Sequence, residues 1–248
     1  MSVFDILELS PSCELSFAQY LRMLPSLRVR QYSISSSPLW NSEVVTLTFD
    51  ILNKPALSGS GQYIGVASNY LANLKQGDQV SCTVRASNAR FHPPEDTNRP
   101  IVLIAAGTGI APFRAFIQER AGQLICGRQI GQTRLYFGCR SQEDILYFDE
   151  LDKWSKLGAV KLRIVLSRQS NDKNKYVQDL LWEDRNEIAD LYRNGARFYT
   201  CGSVTKVGTS VKKCFTKIIK EMKQCDEEEA VKILEEISLD RYTVDVFA

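Results

Sequence analysis

From residue 101 onward, short apolar runs alternate with longer amphipathic segments. IVLIAA precedes APFRAFIQERAGQLI, RLYFGC precedes YFDELDKWSKL, VKLRIVLS precedes YVQDLLWEDRNEIADLY, and RFYTCGS precedes VGTSVKKCFTKIIKEM. Apolar runs rich in β-branched and aromatic residues are typical of buried strands, whereas apolar positions three or four apart are typical of helices. Four strand-then-helix units predict a doubly wound parallel α/β sheet, which binds ligands at the carboxyl ends of its strands.

The preceding residues follow a different pattern. Between residue 29 and about residue 90, the segments QYSIS, VVTLTFDIL and QVSCTVRA are strand-like, and each is bounded by Gly, Pro, Asn or Ser. They predict an antiparallel β region. Between them, GVASNYLANL predicts a short helix with Ser68 as its N-cap, so that residues 65–68 would present free backbone N–H groups.

Residues 1–28 hold two short helical patterns, SVFDILEL and SFAQYLRML, joined by SPSCE, in which a serine can cap the second helix. They are too short to form a domain alone. The linker PPEDTNRP separates the antiparallel region from the alternating one. We therefore expect three parts, with bounds 1–28, 29–99 and 100–248.

Composition narrows the classes of function. The 248 residues are 44% hydrophobic and 24% charged, which indicates a globular protein, and a net charge of +2 with scattered basic residues argues against a nucleic-acid partner. No apolar run approaches the roughly 20 residues of a membrane span, and MSVFDILEL lacks the basic start of a secretory signal. We expect a cytoplasmic protein with no membrane segment.

Cysteine and histidine usage argues against a metal site. The seven cysteines show no C-x-x-C spacing, and the lone histidine, His92, lies in a loop rich in Pro and Asp. Most of the thiols are therefore expected to be reduced and buried. A Ser-His-Asp or Cys-His catalytic arrangement would have to include His92.

The most informative local feature is GTGIAPF, directly after the strand IVLIAA. Gly107 and Gly109 let the backbone turn tightly and approach a pyrophosphate, and Thr108 adds a hydroxyl. Pro112 suits the first turn of the next helix. A tight turn alone explains the glycines equally well, and G-x-G-x-x-P differs from the G-x-G-x-x-G dinucleotide fingerprint.

GTGIAPF resembles the pyridine-nucleotide loop of the ferredoxin-reductase-like superfamily, and other motifs of that family follow in order. RQYSISSSP is similar to the flavin motif R-x-Y-S, GVASNYL to the loop at the FAD pyrophosphate, YFGCR to the next strand end, and SRQSNDKNKYVQD to the 2'-phosphate site. CGS and RYTVDVFA complete the series, which covers residues 20 to 248. The chain most resembles diflavin reductases that feed haem monooxygenases, in particular the reductase part of self-sufficient cytochrome P-450 fusions.

The resemblance implies an NADPH-dependent flavoprotein reductase with FAD and NADPH as cofactors. Arg30 would neutralise the FAD pyrophosphate, Tyr32 would pack on the flavin or ribose, and Ser33 would hydrogen-bond the flavin nitrogen that receives hydride. The FAD pyrophosphate would lie at Gly65, Val66, Ala67 and Ser68. A half-buried strand and a plain helix start are the alternative explanations of these two segments.

For NADPH, the resemblance implies charge-assisted donors to the 2'-phosphate that distinguishes it from NADH. The family spacing is Lys-x-Tyr, whereas Lys173 and Lys175 flank that position here, and either can serve. An ordinary solvated loop is the alternative. The residues assigned to the nucleotide are Gly107, Thr108, Gly109, Pro112, Arg140, Ser167, Arg168, Lys173 or Lys175, Tyr176, Gln178, Cys201 and Gly202.

By the same resemblance, Ser33, Cys201 and Asp245 form the hydride-transfer site, in which Asp245 would stabilise the cationic nicotinamide ring left after hydride departs. Phe247 stands where many relatives carry a Trp that stacks on the isoalloxazine and moves aside for nicotinamide. Packing on the core is its alternative role. Ser203 replaces the acid of the family's C-G-D, and this leaves that acid's contribution open.

The resemblance also implies missing parts. Family members have earlier barrel strands, a helical connecting domain and a flavodoxin-like FMN domain before the residue equivalent to Arg30. We therefore expect a connecting-segment remnant at 1–28, an incomplete antiparallel FAD-binding β-barrel at 29–99 and the NADPH-binding α/β domain at 100–248. FMN would belong to a partner or missing domain, which passes electrons to a haem monooxygenase.

Two other functions stay open at this point. One is a truncated nucleotide-binding or interaction module without turnover, and the other is the reductase of a sulfite-reducing or nitric-oxide-forming system. The sequence also leaves open the final acceptor, the oligomeric state, and whether the chain is a natural fragment or a partial gene model.

Overall fold

The computed structural model describes residues 3–57, 59, 61–86, 90–169, 174–203 and 207–247. Residue 247 is described by its backbone alone. Its contacts divide the chain into two compact units. The smaller unit joins Met1–Tyr32 with Phe49–Thr83, and the larger joins Ser33–Thr48 with Val84–Ala248. The chain therefore passes between the units three times, and residues 33–48 pack with the α/β part.

The smaller unit contains short elements. Its helices are α1 (Val3–Glu8), α2 (Phe17–Met23) and α3 (Val66–Ala72), and its strands β1 (Asn53–Pro55) and β2 (Gln62–Ile64) pair antiparallel. Helix α2 is capped by Ser16, whose hydroxyl accepts from the Gln19 N–H at 3.3 Å while the Gln19 side chain accepts from the Ser16 N–H at 3.0 Å. The capping serine thus lies outside SPSCE, where it was predicted.

The three strands predicted between residues 29 and 90 do not form. QYSIS and VVTLTFDIL meet at a single antiparallel bridge, Ile34 with Leu47, and residues 79–86 form no regular element. In VVTLTFDIL, two serine side chains occupy N–H groups that a ladder would use. The Thr46 N–H donates to Ser36 Oγ at 2.9 Å, and the Leu52 N–H donates to Ser68 Oγ at 3.0 Å.

The larger unit is built around a five-stranded parallel sheet. Its order is β5-β4-β3-β6-β7. The strands are β3 (Ile101–Ala106), β4 (Thr133–Cys139), β5 (Lys161–Leu166), β6 (Arg197–Ser203) and β7 (Tyr242–Phe247). The helices are α4 (Ala111–Ile125), α5 (Phe148–Lys156), α6 (Val177–Glu183), α7 (Arg185–Arg193), α8 (Thr209–Lys223) and α9 (Glu227–Asp240).

The predicted fold class is confirmed, since a small antiparallel sheet is followed by a doubly wound parallel one. All four predicted strand-then-helix units form. The segment predicted as one helix over 176–192 is two helices separated at Asp184, whose carboxylate accepts from the Tyr136 hydroxyl at 3.0 Å. Helix α9 and strand β7 were not predicted, although Asp226 caps α9 by accepting from the Glu229 N–H at 2.9 Å.

The central strand β3 sits in the core. Residues 101–105 are fully buried, because helices cover both faces of the sheet. On one face the core includes side chains of α6, α7, α8 and α9, and on the other it includes side chains of α4 and α5. Within the residues described above, no helix combines the length and the apolar character needed to cross a membrane.

Candidate functional site

The carboxyl ends of three strands lie side by side in the larger unit. The register pairs Ala105 with Cys201, and Cys201 with Asp245, so β3, β6 and β7 end at one edge of the sheet. Strand β3 lies between β4 on one side and β6 on the other, so the strand order reverses at β3. The carboxyl end of β3 is therefore the topological switch point, where α/β sheets bind ligands. The structure thus brings the 107–110 loop, Cys201 and Asp245 together.

The 107–110 loop is pressed against the end of β6. It forms a single 3₁₀ turn before α4, and Pro112 lies buried in the first turn of that helix. A Cβ atom on Gly109 would lie 2.2 Å from the Cys201 carbonyl oxygen, a distance that no side chain tolerates. Glycine is therefore required at residue 109 by the close approach of two backbones.

Ser33 and Asp245 meet at the same edge of the sheet. The Ser33 hydroxyl donates to Asp245 Oδ2 at 3.4 Å, and both residues are half-buried. Ser33 belongs to the 33–48 segment and lies 212 residues before Asp245 along the chain. The pair therefore joins two of the three residues predicted for hydride transfer.

Cys201, the third of these residues, is fully buried. Burial raises the pKa of its thiol well above the ordinary value, and the nearby Asp245 carboxylate raises it further. The thiol is therefore protonated at physiological pH and is not a nucleophile. Its place beside Asp245 fits a packing and weak hydrogen-bonding role.

Residues predicted at the 2'-phosphate follow the ends of β4 and β5. The Ser167 N–H donates to the Cys139 carbonyl and the Arg168 N–H donates to the Arg140 carbonyl, both at 2.9 Å, so Arg140 and Arg168 are neighbours. Both side chains are exposed. The pKa of Asp144 is lowered by the Ser141 hydroxyl that donates to it, and the Arg140 and Arg168 charges lower it further. Two exposed cations at this corner suit a phosphate dianion.

The remaining predicted phosphate residues begin helix α6. The backbone N–H groups of Lys175 and Tyr176 donate to Asp179 Oδ2 at 2.9 and 2.8 Å, and both side chains are exposed. Gln178, in the first turn, is half-buried. Lys173 lies outside the described residues, as does the side chain of Phe247, so the choice between the two lysines and the role of Phe247 stay predictions.

Residues predicted at FAD in the smaller unit are exposed or locally packed. Arg30 is exposed and donates to the Arg28 carbonyl at 3.2 Å, and the Tyr32 ring packs on Phe49 with centroids 5.5 Å apart. In these interactions, Arg30 contacts its own stretch of chain and Tyr32 contacts the stretch that begins at Phe49. An exposed guanidinium keeps its donors available for an anion.

Helix α3 begins differently from the prediction. Gly65, not Ser68, is its N-cap, because the Ser68 side chain accepts from the Leu52 N–H at 3.0 Å and is one turn inside the helix. A Cβ on Gly65 would lie 2.7 Å from the Cβ of Leu52. The N–H groups of Val66, Ala67 and Ser68 open the first helical turn, where an α-helix leaves donors unused. This fits the phosphate group that the sequence predicts there.

Three residues near Ser33 were not predicted from the sequence. Arg114 and Gln118 lie four residues apart on α4 and are buried, and Glu150 on α5 pairs with Arg114. Polar residues four apart on an otherwise apolar helix face indicate a buried polar contact, so the sequence could have indicated that Arg114 and Gln118 bind a polar partner. Their partner segment, about 80 residues earlier, could not be read from that spacing.

Two family models match the chain. Residues 1–70 match a model described as an FAD binding domain, and residues 103–212 match one described as an oxidoreductase NAD-binding domain. The matched ranges include Arg30, Ser33 and Gly65 in the first and the 107–110 loop in the second.

Several curated relatives align with the whole chain. The chain is 50% identical over 252 residues to the "Self-sufficient cytochrome P450 monooxygenase CYP505E3" of Phanerodontia chrysosporium. It is 43% identical over 256 residues to a "Bifunctional cytochrome P450/NADPH--P450 reductase" of Fusarium oxysporum, and 40% identical over 250 residues to the protein of the same name from Bacillus cereus. Each alignment covers 100% of this chain and 24% of the relative, so the chain spans about a quarter of their length. These matches confirm the predicted resemblance and the predicted cofactors, FAD and NADPH.

Proposed function

Since the chain belongs to the diflavin reductase family of FAD- and NADPH-binding oxidoreductases, we propose that it takes hydride from NADPH and passes electrons through an FMN domain to a haem monooxygenase. The observation that carries the proposal is the meeting of Ser33 and Asp245, at 3.4 Å, beside the loop that follows β3. This edge combines a nucleotide loop, a hydroxyl donor and a carboxylate.

Individual residues have distinct tasks in this proposal. When bound, FAD supplies a two-electron acceptor for the hydride of NADPH and releases those electrons one at a time. Ser33 carries a single hydroxyl proton, which it donates to Asp245 in the structure. When FAD is bound, that proton would turn toward the flavin, and the Asp245 carboxylate would face the positive charge that develops on the nicotinamide ring. Gly65 to Ser68 hold the FAD pyrophosphate, and Arg30 neutralises it.

Substrate choice is assigned to the cation pair at the ends of β4 and β5. Arg140, Arg168, Ser167 and one lysine bind the 2'-phosphate, while the 107–110 loop at the start of α4 binds the NADPH pyrophosphate. We also propose a cytoplasmic location, the compartment that keeps exposed thiols such as Cys13, Cys82 and Cys126 reduced.

The partners follow from the names of the relatives, which are a self-sufficient cytochrome P450 monooxygenase and bifunctional cytochrome P450/NADPH–P450 reductases. An FMN-binding, flavodoxin-like domain would receive electrons singly and hand them to the haem. We infer that such a domain is needed for rapid reduction of haem proteins, because their haem must be reached through a protein contact.

The test is turnover of the purified chain with saturating FAD and NADPH. A flavin absorbance spectrum and NADPH-driven reduction of ferricyanide are expected, with slow reduction of cytochrome c that rises when a separate FMN domain is added. Asp245→Asn should lower the ferricyanide rate about 100-fold with little change in KM. Exposed Asp190→Asn, at the opposite end of the sheet on α7, is the control.

Two results would contradict the proposal. A colourless protein without turnover at saturating FAD would favour a nucleotide-binding module instead. Rapid reduction of cytochrome c without any FMN would show that the division of labour between FAD and FMN domains is wrong.

A further inference from the structure

Residues 35–37, which follow Ser33, are unusually buried for a polar segment. Ser35, Ser36 and Ser37 expose 0%, 4% and 1% of their surface. Buried serines and their backbone groups need hydrogen-bond partners. Some come from within the segment, since Ser35 Oγ bonds Thr46 Oγ1 at 2.9 Å and the Ser35 N–H donates to the Thr46 carbonyl at 2.8 Å. The others come from α4.

Arg114 is the first of these partners. Its Nη1 donates to the Ser35 carbonyl at 2.7 Å, while Nε and Nη2 form a bidentate pair with Glu150 at 2.6 and 2.8 Å. The guanidinium lies 4.5 Å from the centre of the Tyr147 ring, and its side chain is 9% exposed. With a carboxylate on one edge and a ring over its face, Arg114 has little freedom to follow the segment if it moves.

Tyr147 ties the same cluster to the far end of the segment. Its hydroxyl bonds Thr48 Oγ1 at 2.5 Å, and its backbone adopts φ +60°, a left-handed conformation that is strained for a tyrosine. Such strain persists only when surrounding contacts hold it. The ring over Arg114 and the bond to Thr48 are those contacts.

Gln118 is the second partner, one helical turn beyond Arg114. Its Oε1 accepts from the Ser37 N–H at 2.8 Å, and the adjacent Glu119 accepts from the Ser37 hydroxyl at 3.3 Å. Residues four apart share one helix face. Arg114 and Gln118 therefore bond the segment at two points, two residues apart. The helix that carries them starts directly after the 107–110 loop.

We propose that Arg114 and Gln118 are positioning residues, which fix the distance of Ser33 from Asp245 by fastening residues 35–37 to α4. This rests on the proposed function for its catalytic meaning. The Ser33–Asp245 distance of 3.4 Å is near the limit of a hydrogen bond, so a shift of about 1 Å would break it. Because α4 also anchors the 107–110 loop, one helix sets both the nucleotide loop and the hydroxyl donor.

The kinetic test compares Arg114→Lys and Gln118→Leu with Arg120→Lys. Arg120 is a matched control, because it is buried on the same helix but donates to the carbonyls of Gly131 and Arg99 instead. With the full chain saturated with FAD, Arg114→Lys and Gln118→Leu should slow flavin reduction by NADPH about 10- to 100-fold. KM should change less than about twofold, and the isotope effect with NADPH deuterated at the transferred position should rise.

A second measurement needs neither cofactor. Amide hydrogen exchange of the FAD-free chain should accelerate in peptides spanning residues 33–37 for Arg114→Lys and Gln118→Leu, and should stay unchanged there for Arg120→Lys. Unchanged exchange in the first two variants would overturn the inference. So would accelerated exchange with flavin reduction no slower than in Arg120→Lys.

Failure of the proposed function would look different. If the unmutated chain with FAD is not reduced by NADPH, the proposed function is wrong, and the exchange measurement alone decides whether Arg114 and Gln118 hold the segment. Faster exchange then supports the fastening, and unchanged exchange overturns it.

Discussion

The two units of the molecule are stabilised in different ways. In the larger unit, β3 is buried along residues 101–105, because parallel neighbours flank it and helices cover both faces. In the smaller unit, Phe17 is 73% exposed and Leu27 is 83% exposed, and the one ladder among its described residues joins two three-residue strands. The larger unit gains stability from apolar burial, whereas the smaller relies on local bonds such as Ser16 to Gln19 and Leu52 to Ser68.

The two units also differ in which of the proposed functional residues they hold. The residues that the sequence predicts for hydride transfer, Ser33, Cys201 and Asp245, all belong to the unit with the large core. Arg30 and the start of α3, proposed to hold FAD, belong to the unit with little buried apolar surface. Catalytic distances are best held by a rigid scaffold, while a cofactor can order the residues that bind it.

The largest expected difference between the units is in amide hydrogen exchange. Amides of Ile101–Ala106 should exchange on the order of 10³-fold or more slowly than those of residues 49–52 and 79–83, because strand amides open only with the whole core. Adding FAD should slow exchange in Val66–Ala72 and leave β3 unchanged. Equal protection of the two regions in the FAD-free chain would contradict the comparison.

The next largest difference is expected between glycine substitutions in the two units, which should affect different cofactors. Gly109→Ala should lower the free energy of unfolding by about 3 kcal/mol and abolish measurable NADP⁺ binding, since its Cβ would overlap the Cys201 carbonyl. Gly65→Ala should weaken FAD binding and leave NADP⁺ affinity unchanged. Urea unfolding and calorimetric titration measure these effects.

A third glycine gives the matched control for these variants. In α4, Gly122 has open space around its Cβ position, so Gly122→Ala should raise the free energy of unfolding by about 1 kcal/mol. Wild-type NADP⁺ affinity in Gly109→Ala would show that the loop does not need the close approach to β6.

Alkaline pH should act on the larger unit. Burial raises the pKa of Cys139 to about 12 and that of Cys214 to about 11. The folded state thus holds these protons more tightly, so their stabilisation is complete below about pH 9 and is lost as the pH rises toward 11 to 12. Urea unfolding at pH 10.5 should show a loss of about 2 kcal/mol per thiol relative to pH 8.

The control for this pH effect is a variant without one buried thiol. Cys139→Val should reduce the loss between pH 8 and 10.5, whereas Cys126→Ser, at an exposed site, should not. An identical pH profile in Cys139→Val and the unmutated chain would remove that thiol as the cause.

The most local effect concerns nucleotide choice at the edge of the larger unit. Arg168→Ala should cost roughly 1.5 to 3 kcal/mol in kcat/KM for NADPH, with little change for NADH, because only NADPH carries the 2'-phosphate. Arg128→Ala, another exposed arginine of that unit, should affect neither nucleotide. Equal use of NADPH and NADH by the unmutated chain would contradict the assignment.

The first four strands of the α/β part could be predicted from the sequence because each contains a short run of mostly apolar residues. IVLIAA and RLYFGC are such runs, and the helices between them carry their own periodicity. The presence of an antiparallel part was predicted, but the positions of its strands were not, since a strand exists only where a partner pairs with it. VVTLTFDIL has strand-like residues, yet Thr46 and Leu52 bond to serine hydroxyls.

The candidate site was predictable to the extent that motifs carry it. The 107–110 loop, Ser33 and Asp245 were predicted, and the structure brings them to one edge. The contacts of Arg114 with Ser35 could not be predicted, because they join residues 79 apart through a backbone carbonyl, which leaves no mark on the sequence. The N-cap of α3 was assigned to Ser68 instead of Gly65, because the tertiary bond from Leu52 was not visible.

The route of the chain has a consequence for building chimeric enzymes. An exchange of modules with a single cut near Arg99 would take Ser33 from one parent and Asp245 from the other. The same cut would separate Ser35 from Arg114, the two ends of another hydrogen bond. A graft that preserves those pairs must be discontinuous and carry residues 33–48 along with everything after residue 84. Swapping the proposed nicotinamide-binding half between homologous reductases therefore requires two insertions, and recombination libraries with a single crossover would combine mismatched parents at the proposed point of hydride transfer.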